Sequence, residues 1–266
     1  MPMETVNIFA IIAIFFYLFA SFIKIYQINS KHFIFLFGGL AVIFHALILQ
    51  QSMISSSGLN LGFFNAASII AWVIAILLLL SILRQPVENL IIILFPIAAL
   101  TIGFESYFPT ERILDSNTQF GVTLHVLLSI IAYSLLTISA IQALFLALQN
   151  YYLRHKHPGW VLKKLPPLQV MENLLFQMIG IGFIFLSLSL LSGMVFLQDI
   201  FSQHLVHKTI LSIIAWFVFA ILLWGHWRYG WRGKTAIRWT IGGFSVLMLA
   251  YFGSKMVLEL ILNHGY

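Results

Sequence analysis

The sequence contains no cysteine, and only 8% of its 266 residues are charged. Without cysteine, the chain can form no disulfide, no thiolate metal site and no thiol–disulfide catalyst. Soluble domains carry roughly 25% charged residues, so this charge content excludes an ordinary water-soluble globular domain. Glu4 is the only charge before the first apolar run, and we therefore expect no cleaved signal peptide, which would need a basic N-terminal region.

Apolar residues make up 61% of the chain, and its mean hydropathy is +0.99. Such a sequence needs a lipid bilayer as its solvent, in which spanning helices require roughly 17 residues or more. Eight runs are long enough, at about 6–23, 33–50, 61–83, 88–104, 120–150, 174–197, 207–227 and 236–262. We predict an all-α polytopic membrane bundle of about eight transmembrane helices, forming a single integral membrane domain over residues 1–266.

The charges between these runs predict the orientation of the protein. One set of loops holds eleven basic residues, namely Lys24, Lys31, Arg84, Arg154, Lys156, Lys163, Lys164, Arg228, Arg232, Lys234 and Arg238. The opposite loops hold only Arg112 and Lys208, together with acidic residues that include Glu105. Basic loops stay in the cytoplasm, so both termini are predicted outside, in a bacterial inner (cytoplasmic) membrane. The net charge of +6 follows from this distribution and does not indicate a nucleic-acid partner.

Five of the nine histidines fall on the predicted outer side: His45, His125, His204, His207 and His264. Ionisable side chains inside a membrane usually face the bundle interior and are candidates for function. Neutral imidazole binds iron, copper, zinc or nickel, and two imidazoles on facing helices can hold haem iron from both axial sides. The alternative for any one of these histidines is a hydrogen bond to a neighbouring helix.

Lys255 and Glu259 lie one turn apart in the outer half of the last run. An isolated charge at mid-bilayer costs roughly 2.5–3.5 kcal/mol on insertion scales, so a mutual ion pair is the simplest interpretation. The alternative gives Lys255 a ligand carboxylate, such as a haem propionate, and Arg112 and Lys208 are candidates for the same role. Tyr133, two turns after His125, is a candidate for lining the pocket or a core tyrosine.

Three segments resemble the cytochrome c assembly protein family of the CcsA/CcmC type, which handles haem at the outer membrane face. They are LHVLLSIIAYSLL, which contains His125; HKTILSIIAWFVFAILLWGHWRYGWRG, from His207 to Gly233; and YFGSKMVLELILNHGY at the C-terminal end. The resemblance covers about residues 60–266 and is nearest to the small YpjD-like branch of inner membrane proteins. It implies that His125 and His264 are axial ligands of haem iron, with His207 and His45 as neighbouring or second ligands.

The chain departs from the family synthases in one motif. Their tryptophan-rich WGxxWxWDxKE stretch corresponds here to FLQDIFSQHLVHKT, which contains no tryptophan. The resemblance therefore implies a haem-binding protein that holds haem or hands it on, with cytochrome c maturation or haem-synthesis proteins as partners, rather than a synthase. His226 lies about two residues from the position of a transmembrane histidine in the synthases, and no role is carried over to it.

Two other functions fit the residues. A divalent-metal transporter, or an accessory subunit of one, would use the outer histidines as ligands, and imidazole favours a softer metal than magnesium. A membrane regulator of haem biosynthesis would contact a cytosolic enzyme through the basic loops. The positive-inside rule, however, accounts for basic residues in cytoplasmic loops without any such partner. The sequence carries neither a phosphate-cradling glycine loop nor a nucleophile elbow.

Overall fold

A computed structural model describes residues 3–26, 31–55, 58–108, 113–115, 120–155, 165–196 and 206–253. Within these residues, eight helices are long and apolar enough to cross a membrane. They are α1 (Met3–Ile25), α2 (Lys31–Met53), α3 (Phe63–Ile82), α4 (Ile91–Tyr107), α5 (Phe120–Arg154), α6 (Leu168–Phe196), α7 (Val206–Tyr229) and α8 (Gly233–Met248). A 3₁₀ turn, Glu88–Leu90, precedes α4, and a π-helical turn, Leu249–Gly253, continues α8. The predicted all-α polytopic membrane fold is confirmed, and the outside location of the termini stays a prediction.

The helix bounds differ most from the predicted spans at α6, which begins at Leu168 rather than near residue 174. The early start includes Glu172, a charge that hydropathy alone places outside a span. Its Oε1 accepts a hydrogen bond from the backbone N–H of Gly233, 2.9 Å away, at the start of α8. This partner makes the carboxylate compatible with the helix. The predicted eighth span extends to residue 262, and its last part lies outside the described residues.

The helices group into two compact units of four, α1–α4 and α5–α8. In the first unit, polar side chains reach backbone carbonyls of neighbouring helices: Ser21 Oγ donates to Ile91 O at 3.2 Å, and Trp72 Nε1 donates to Val42 O at 2.9 Å. At one end, Lys24 and Lys31 both contact the Glu88 carboxylate, at 2.8 and 3.0 Å. The single domain over residues 1–266 stays a prediction.

A short antiparallel sheet in the first unit was not predicted from the sequence. Its strands are β1 (Ile54–Ser55), β2 (Gly58–Asn60) and β3 (Ile113–Asp115), in the order β1-β2-β3. Strands of two or three residues are too short for a recognisable alternation of apolar and polar residues. The sheet joins the connection after α2 to the connection after α4.

In the second unit, small residues allow the helices to approach closely. A Cβ at Gly182 on α6 would lie 3.0 Å from the Leu136 side chain of α5. Gln142 Nε2 on α5 donates to Met171 O at 3.2 Å, and Trp216 Nε1 on α7 donates to Ser187 Oγ at 2.8 Å. Gln142 and Trp216 thus bond to a neighbouring helix, which satisfies polar groups that lipid cannot.

Gly230 and Gly233 flank the connection between α7 and α8, with φ of 66° and 54°. These values lie in the left-handed region that glycine adopts without steric cost, so the two glycines permit a tight turn. The turn brings Trp231 against Gly225, where any Cβ would collide with the indole. The two helices are therefore joined by only a few residues and pack side by side.

Replacing Gly243 by alanine should destabilise the second unit, whereas the same change at Gly242 should not. A Cβ at Gly243 would lie 2.9 Å from Val218 and 3.1 Å from Phe219 on α7, but one at Gly242 meets nothing within 4 Å. Overpacking costs about 1–3 kcal/mol, while alanine is favoured over glycine in helices by about 1 kcal/mol. Thermal unfolding in detergent measures both; equal melting temperatures for the two variants would contradict this packing.

The natural absence of cysteine permits a direct test of orientation. Tyr107 at the end of α4 is 84% exposed, and Tyr229 at the end of α7 is 63% exposed. In intact spheroplasts, a membrane-impermeant maleimide should label Tyr107→Cys but not Tyr229→Cys, and should label both after detergent is added. The unsubstituted chain is the unlabelled control, and the reverse pattern would place both termini in the cytoplasm.

Candidate functional site

His125 lies in the second turn of α5, half-buried against α6. Its Nδ1 is 2.8 Å from the Ser189 carbonyl oxygen and 3.3 Å from Ser192 Oγ. Because a carbonyl can only accept, Nδ1 carries the proton, and in the neutral ring the lone pair is on Nε2. No hydrogen bond to Nε2 is formed by the residues that the structure describes. The ring is therefore held by one nitrogen while the other remains available to a ligand.

Serine hydroxyls of α5 and α6 lie near the Ser189 carbonyl that orients this ring, and Ser192 donates to it. Ser192 Oγ donates to Ser189 O at 2.8 Å, and the hydroxyls of Ser129 and Ser189 are 2.7 Å apart. Ser129 also donates to the backbone carbonyl of His125 at 2.7 Å. Histidines that bind metals commonly donate their other N–H to a carbonyl or carboxylate, which fixes the tautomer and the ring plane. The α5–α6 contact provides this arrangement before any ligand is present.

A cation and an aromatic wall accompany His125 in the second unit. The Lys208 ammonium acts electrostatically on His125 and lies 5.0 Å from the centroid of the Tyr251 ring. Tyr133, 8% exposed, packs against Phe244, Tyr251 and Phe252 with ring centroids 5.6–5.7 Å apart. Tyr251 and Phe252 belong to the π-helical turn, a feature that often occurs at functional sites.

The other predicted site residues have different positions. His207 is in the first turn of α7 and is exposed. His264, Lys255, Glu259 and His204 lie outside the described residues. The predicted pairing of His125 with His264 therefore stays a prediction. Among the described residues, no group of three or more histidine, aspartate or glutamate side chains is arranged to hold a metal ion.

His45 is completely buried in the first unit, and both of its ring nitrogens are engaged. Nδ1 is 3.1 Å from the Tyr17 hydroxyl of α1, and Nε2 is 2.9 Å from Ser68 Oγ of α3. To bind iron, His45 would first have to release one of these partners. This arrangement corresponds to the hydrogen-bonding alternative of the sequence analysis, although the assignment of His45 as a ligand is untested.

Ser68 also neighbours the Glu105 carboxylate, which continues the network to α4. The sequence analysis placed Glu105 in an outer loop, but the structure places it in α4 with 6% exposure. The expectation was wrong because α4 extends to Tyr107, beyond the end of the predicted span. Glu105 Oε1 accepts a short hydrogen bond from Ser52 Oγ, whereas Oε2 has no hydrogen-bond partner among the described residues.

Sequence reasoning did not identify this network, which consists of Tyr17, His45, Ser52, Ser68 and Glu105. Its members come from four helices, and only their packing brings them together. The only sign in the sequence was a polar residue inside each apolar run. Such residues are common in membrane helices, and the sequence does not show which of them will contact each other.

His226, in the last turn of α7, and His155, just after α5, each form a hydrogen bond to a carbonyl close by in the chain. His226 Nδ1 donates to Trp231 O at 2.8 Å, and its ring stacks on Phe176 with centroids 3.5 Å apart. His155 is exposed, and its Nδ1 donates to Tyr151 O at 2.9 Å within α5.

The family model of the cytochrome C assembly protein matches residues 33–262. The chain belongs to the cytochrome c assembly family. It is 33% identical to the inner membrane protein YpjD of Escherichia coli strain K12 over 224 residues, which are 84% of this chain and 85% of that protein. It is also 30% identical to the cytochrome c biogenesis protein CcsA of Chlamydomonas reinhardtii over 162 residues, 59% of this chain and 43% of that protein.

A third relative, an uncharacterized 28.8 kDa protein of Azospirillum brasilense, is 32% identical over 157 residues, 58% of each chain. No solved structure matches the chain. Family membership supports a role in cytochrome c biogenesis, and the eight apolar helices make the chain a multi-pass membrane protein.

Proposed function

We propose that this chain binds haem in the bacterial inner membrane and holds it or hands it on at the outer face. His125 and His264 are the axial ligands, and cytochrome c maturation or haem-synthesis proteins are the partners. The name of the Escherichia coli relative supports the inner-membrane location, and the family supports a role connected with haem.

The observation that carries this proposal is the hydrogen bonding of His125. Its Nδ1–H donates to the Ser189 carbonyl, so the free lone pair is on Nε2. His45, by contrast, has both ring nitrogens hydrogen-bonded to neighbouring helices. A preset tautomer with one free nitrogen is the arrangement that an iron ligand needs.

Lys208 adds a charge of the right sign beside this histidine. Haem carries two propionates, and an ammonium group in a low-dielectric setting binds a carboxylate through a charge-assisted hydrogen bond. Lys208 lies in the first turn of α7 and acts electrostatically on His125, which supports its proposed role in binding a haem propionate. Lys255 has the same proposed role, and His207 and His45 remain proposed as neighbouring ligands.

The proposed role is carriage rather than attachment or oxygen chemistry. A haem held by two histidines supplies an iron centre whose axial positions are both filled. The stretch that corresponds to the tryptophan-rich motif of the family synthases contains no tryptophan. Among the described residues, no observation favours the divalent-metal transporter or the regulator of haem synthesis over this proposal.

The purified protein, reconstituted with haem in detergent, should show the Soret and alpha bands of bis-histidine haem. His125→Ala and His264→Ala should each lose this spectrum, because one axial ligand is removed. His155→Ala is the matched control, since His155 is exposed and bonds only within its own helix turn. An unchanged spectrum in either ligand variant would exclude that histidine as an axial ligand.

Lys208→Gln should weaken haem binding by about tenfold while leaving the bis-histidine bands in place. A hydrogen bond to a charged group contributes about 1.5–3 kcal/mol, and about 1.4 kcal/mol corresponds to a factor of ten. Titration with haem dimethyl ester is the control, because the ester has no carboxylate for the ammonium to bind. Equal losses for haem and its ester would mean that Lys208 acts on the fold and not on the propionate.

A further inference from the structure

The carbonyl oxygen of Ser189 on α6 accepts hydrogen bonds from two side chains on different helices. His125 Nδ1 of α5 lies 2.8 Å from it, and Ser192 Oγ of its own helix donates to it, also at 2.8 Å. The Ser192 hydroxyl lies 3.3 Å from His125 Nδ1 as well. Ser189 and Ser192 are only 4% and 8% exposed. The imidazole and the hydroxyl therefore share one buried acceptor.

The neighbouring distances determine where the hydroxyl hydrogens point. Ser129 Oγ donates its hydrogen to the backbone carbonyl of His125 at 2.7 Å. The hydroxyls of Ser129 and Ser189 are 2.7 Å apart, so the hydrogen between them comes from Ser189. Ser192 gives its hydrogen to Ser189 O and can only accept from His125 Nδ1–H. Among the described residues, Ser192 is thus the hydroxyl that donates to the carbonyl bound by His125.

This carbonyl oxygen has more donors than lone pairs. A carbonyl oxygen has two lone pairs. Ser189 lies within α6, where helix geometry directs the backbone N–H of Gly193 toward the same oxygen. The His125 imidazole and the Ser192 hydroxyl add two further donors. Because each donor draws electron density from the oxygen, the bond from Ser192 weakens the bond from His125.

The competition at the Ser189 carbonyl affects the opposite ring nitrogen of His125, Nε2. A hydrogen bond from Nδ1–H to a carbonyl raises the basicity of the imidazole as a ligand. A more basic imidazole stabilises ferric over ferrous iron, because ferric iron carries one more positive charge. Hydrogen bonding to an axial ligand is one of the means by which a protein sets the potential of haem. Weakening the Nδ1–H bond therefore favours the ferrous state.

We propose that Ser192 is a positioning residue that raises the reduction potential of haem iron bound to His125. The inference rests on the proposed function, since it requires His125 to be an axial ligand. Ser192 acts through the Ser189 carbonyl, to which it donates in competition with the imidazole. Its oxygen also lies within reach of Nδ1–H, which helps to fix the plane of the ring.

Redox titration of the haem-loaded protein in detergent tests the proposal. Ser192→Ala should lower the midpoint potential, because His125 then becomes the only side chain that donates to Ser189 O among the described residues. The ratio of ferrous to ferric haem at a fixed applied potential should fall by about threefold to tenfold, where tenfold corresponds to about 59 mV for one electron. The bis-histidine Soret and alpha bands should remain.

Ser192→Thr should restore the wild-type potential, because threonine keeps a hydroxyl that can bond to a carbonyl of the preceding turn. Ser106→Ala is the matched control. Ser106 is an exposed helical serine of the first unit, and it donates to Ile102 O within α4 at 2.9 Å. Its replacement removes the same hydroxyl and the same kind of intrahelical bond, and it should leave the midpoint potential unchanged.

A measurement without haem separates this proposal from the function on which it rests. In NMR spectra of apoprotein with isotope-labelled histidine, the ring signal of His125 is the one that His125→Ala removes. The proton on Nδ1 of this ring should resonate further downfield in Ser192→Ala than in the wild type, since its hydrogen bond to Ser189 O is stronger.

The possible failures are distinguishable. A wild-type protein without bis-histidine bands would overturn the proposed function, and with it the role of Ser192 toward iron. If those bands are present, the role of Ser192 alone is overturned by an unchanged or higher potential in Ser192→Ala, by loss of the bands in that variant, or by an equal change in Ser192→Thr. An Nδ1 proton that does not move in Ser192→Ala would also overturn it.

Discussion

A polar group inside a bilayer has to find its partner within the protein, because the surrounding lipid offers none. The cost of leaving such a group unpaired, about 1–3 kcal/mol for a neutral donor or acceptor, is a large fraction of the stability of a typical domain. This constraint explains why Ser21, Trp72, Gln142 and Trp216 bond to neighbouring helices. A buried polar atom without a partner is therefore informative, because leaving it unpaired lowers the stability of the fold.

His45, which is buried, and His125, which is half-buried, show this constraint acting on the same residue type. His45 is bonded on both ring nitrogens and belongs to a network that ends on the carboxyl group of Glu105. Among the described residues, His125 is bonded on Nδ1 alone, to the Ser189 carbonyl and the Ser192 hydroxyl. The two rings therefore differ in how many of their nitrogens the described residues bond: both in His45 and one in His125.

The sequence predicted the eight helices because they depend on a local property, the length of each apolar run. It also marked His125 as a candidate. It did not predict the buried position of Glu105 or its link to Ser68, since these depend on the rotation of four helices about their axes. The predicted start of α6 was too late because it also depends on packing. Glu172 is tolerated inside the helix through a hydrogen bond to Gly233, 61 residues away along the chain.

The ion pairs of Glu88 have a consequence for the surrounding lipid. One carboxylate sits between the ammonium groups of Lys24 and Lys31, and so the three side chains together retain one positive charge. The Lys31 side chain is 62% exposed at the helix end, where phospholipid phosphates lie. Attraction to an anionic headgroup contributes about 1 kcal/mol per lysine near the surface. The positive charge that remains at this helix end is thus of the sign that acidic phospholipids attract.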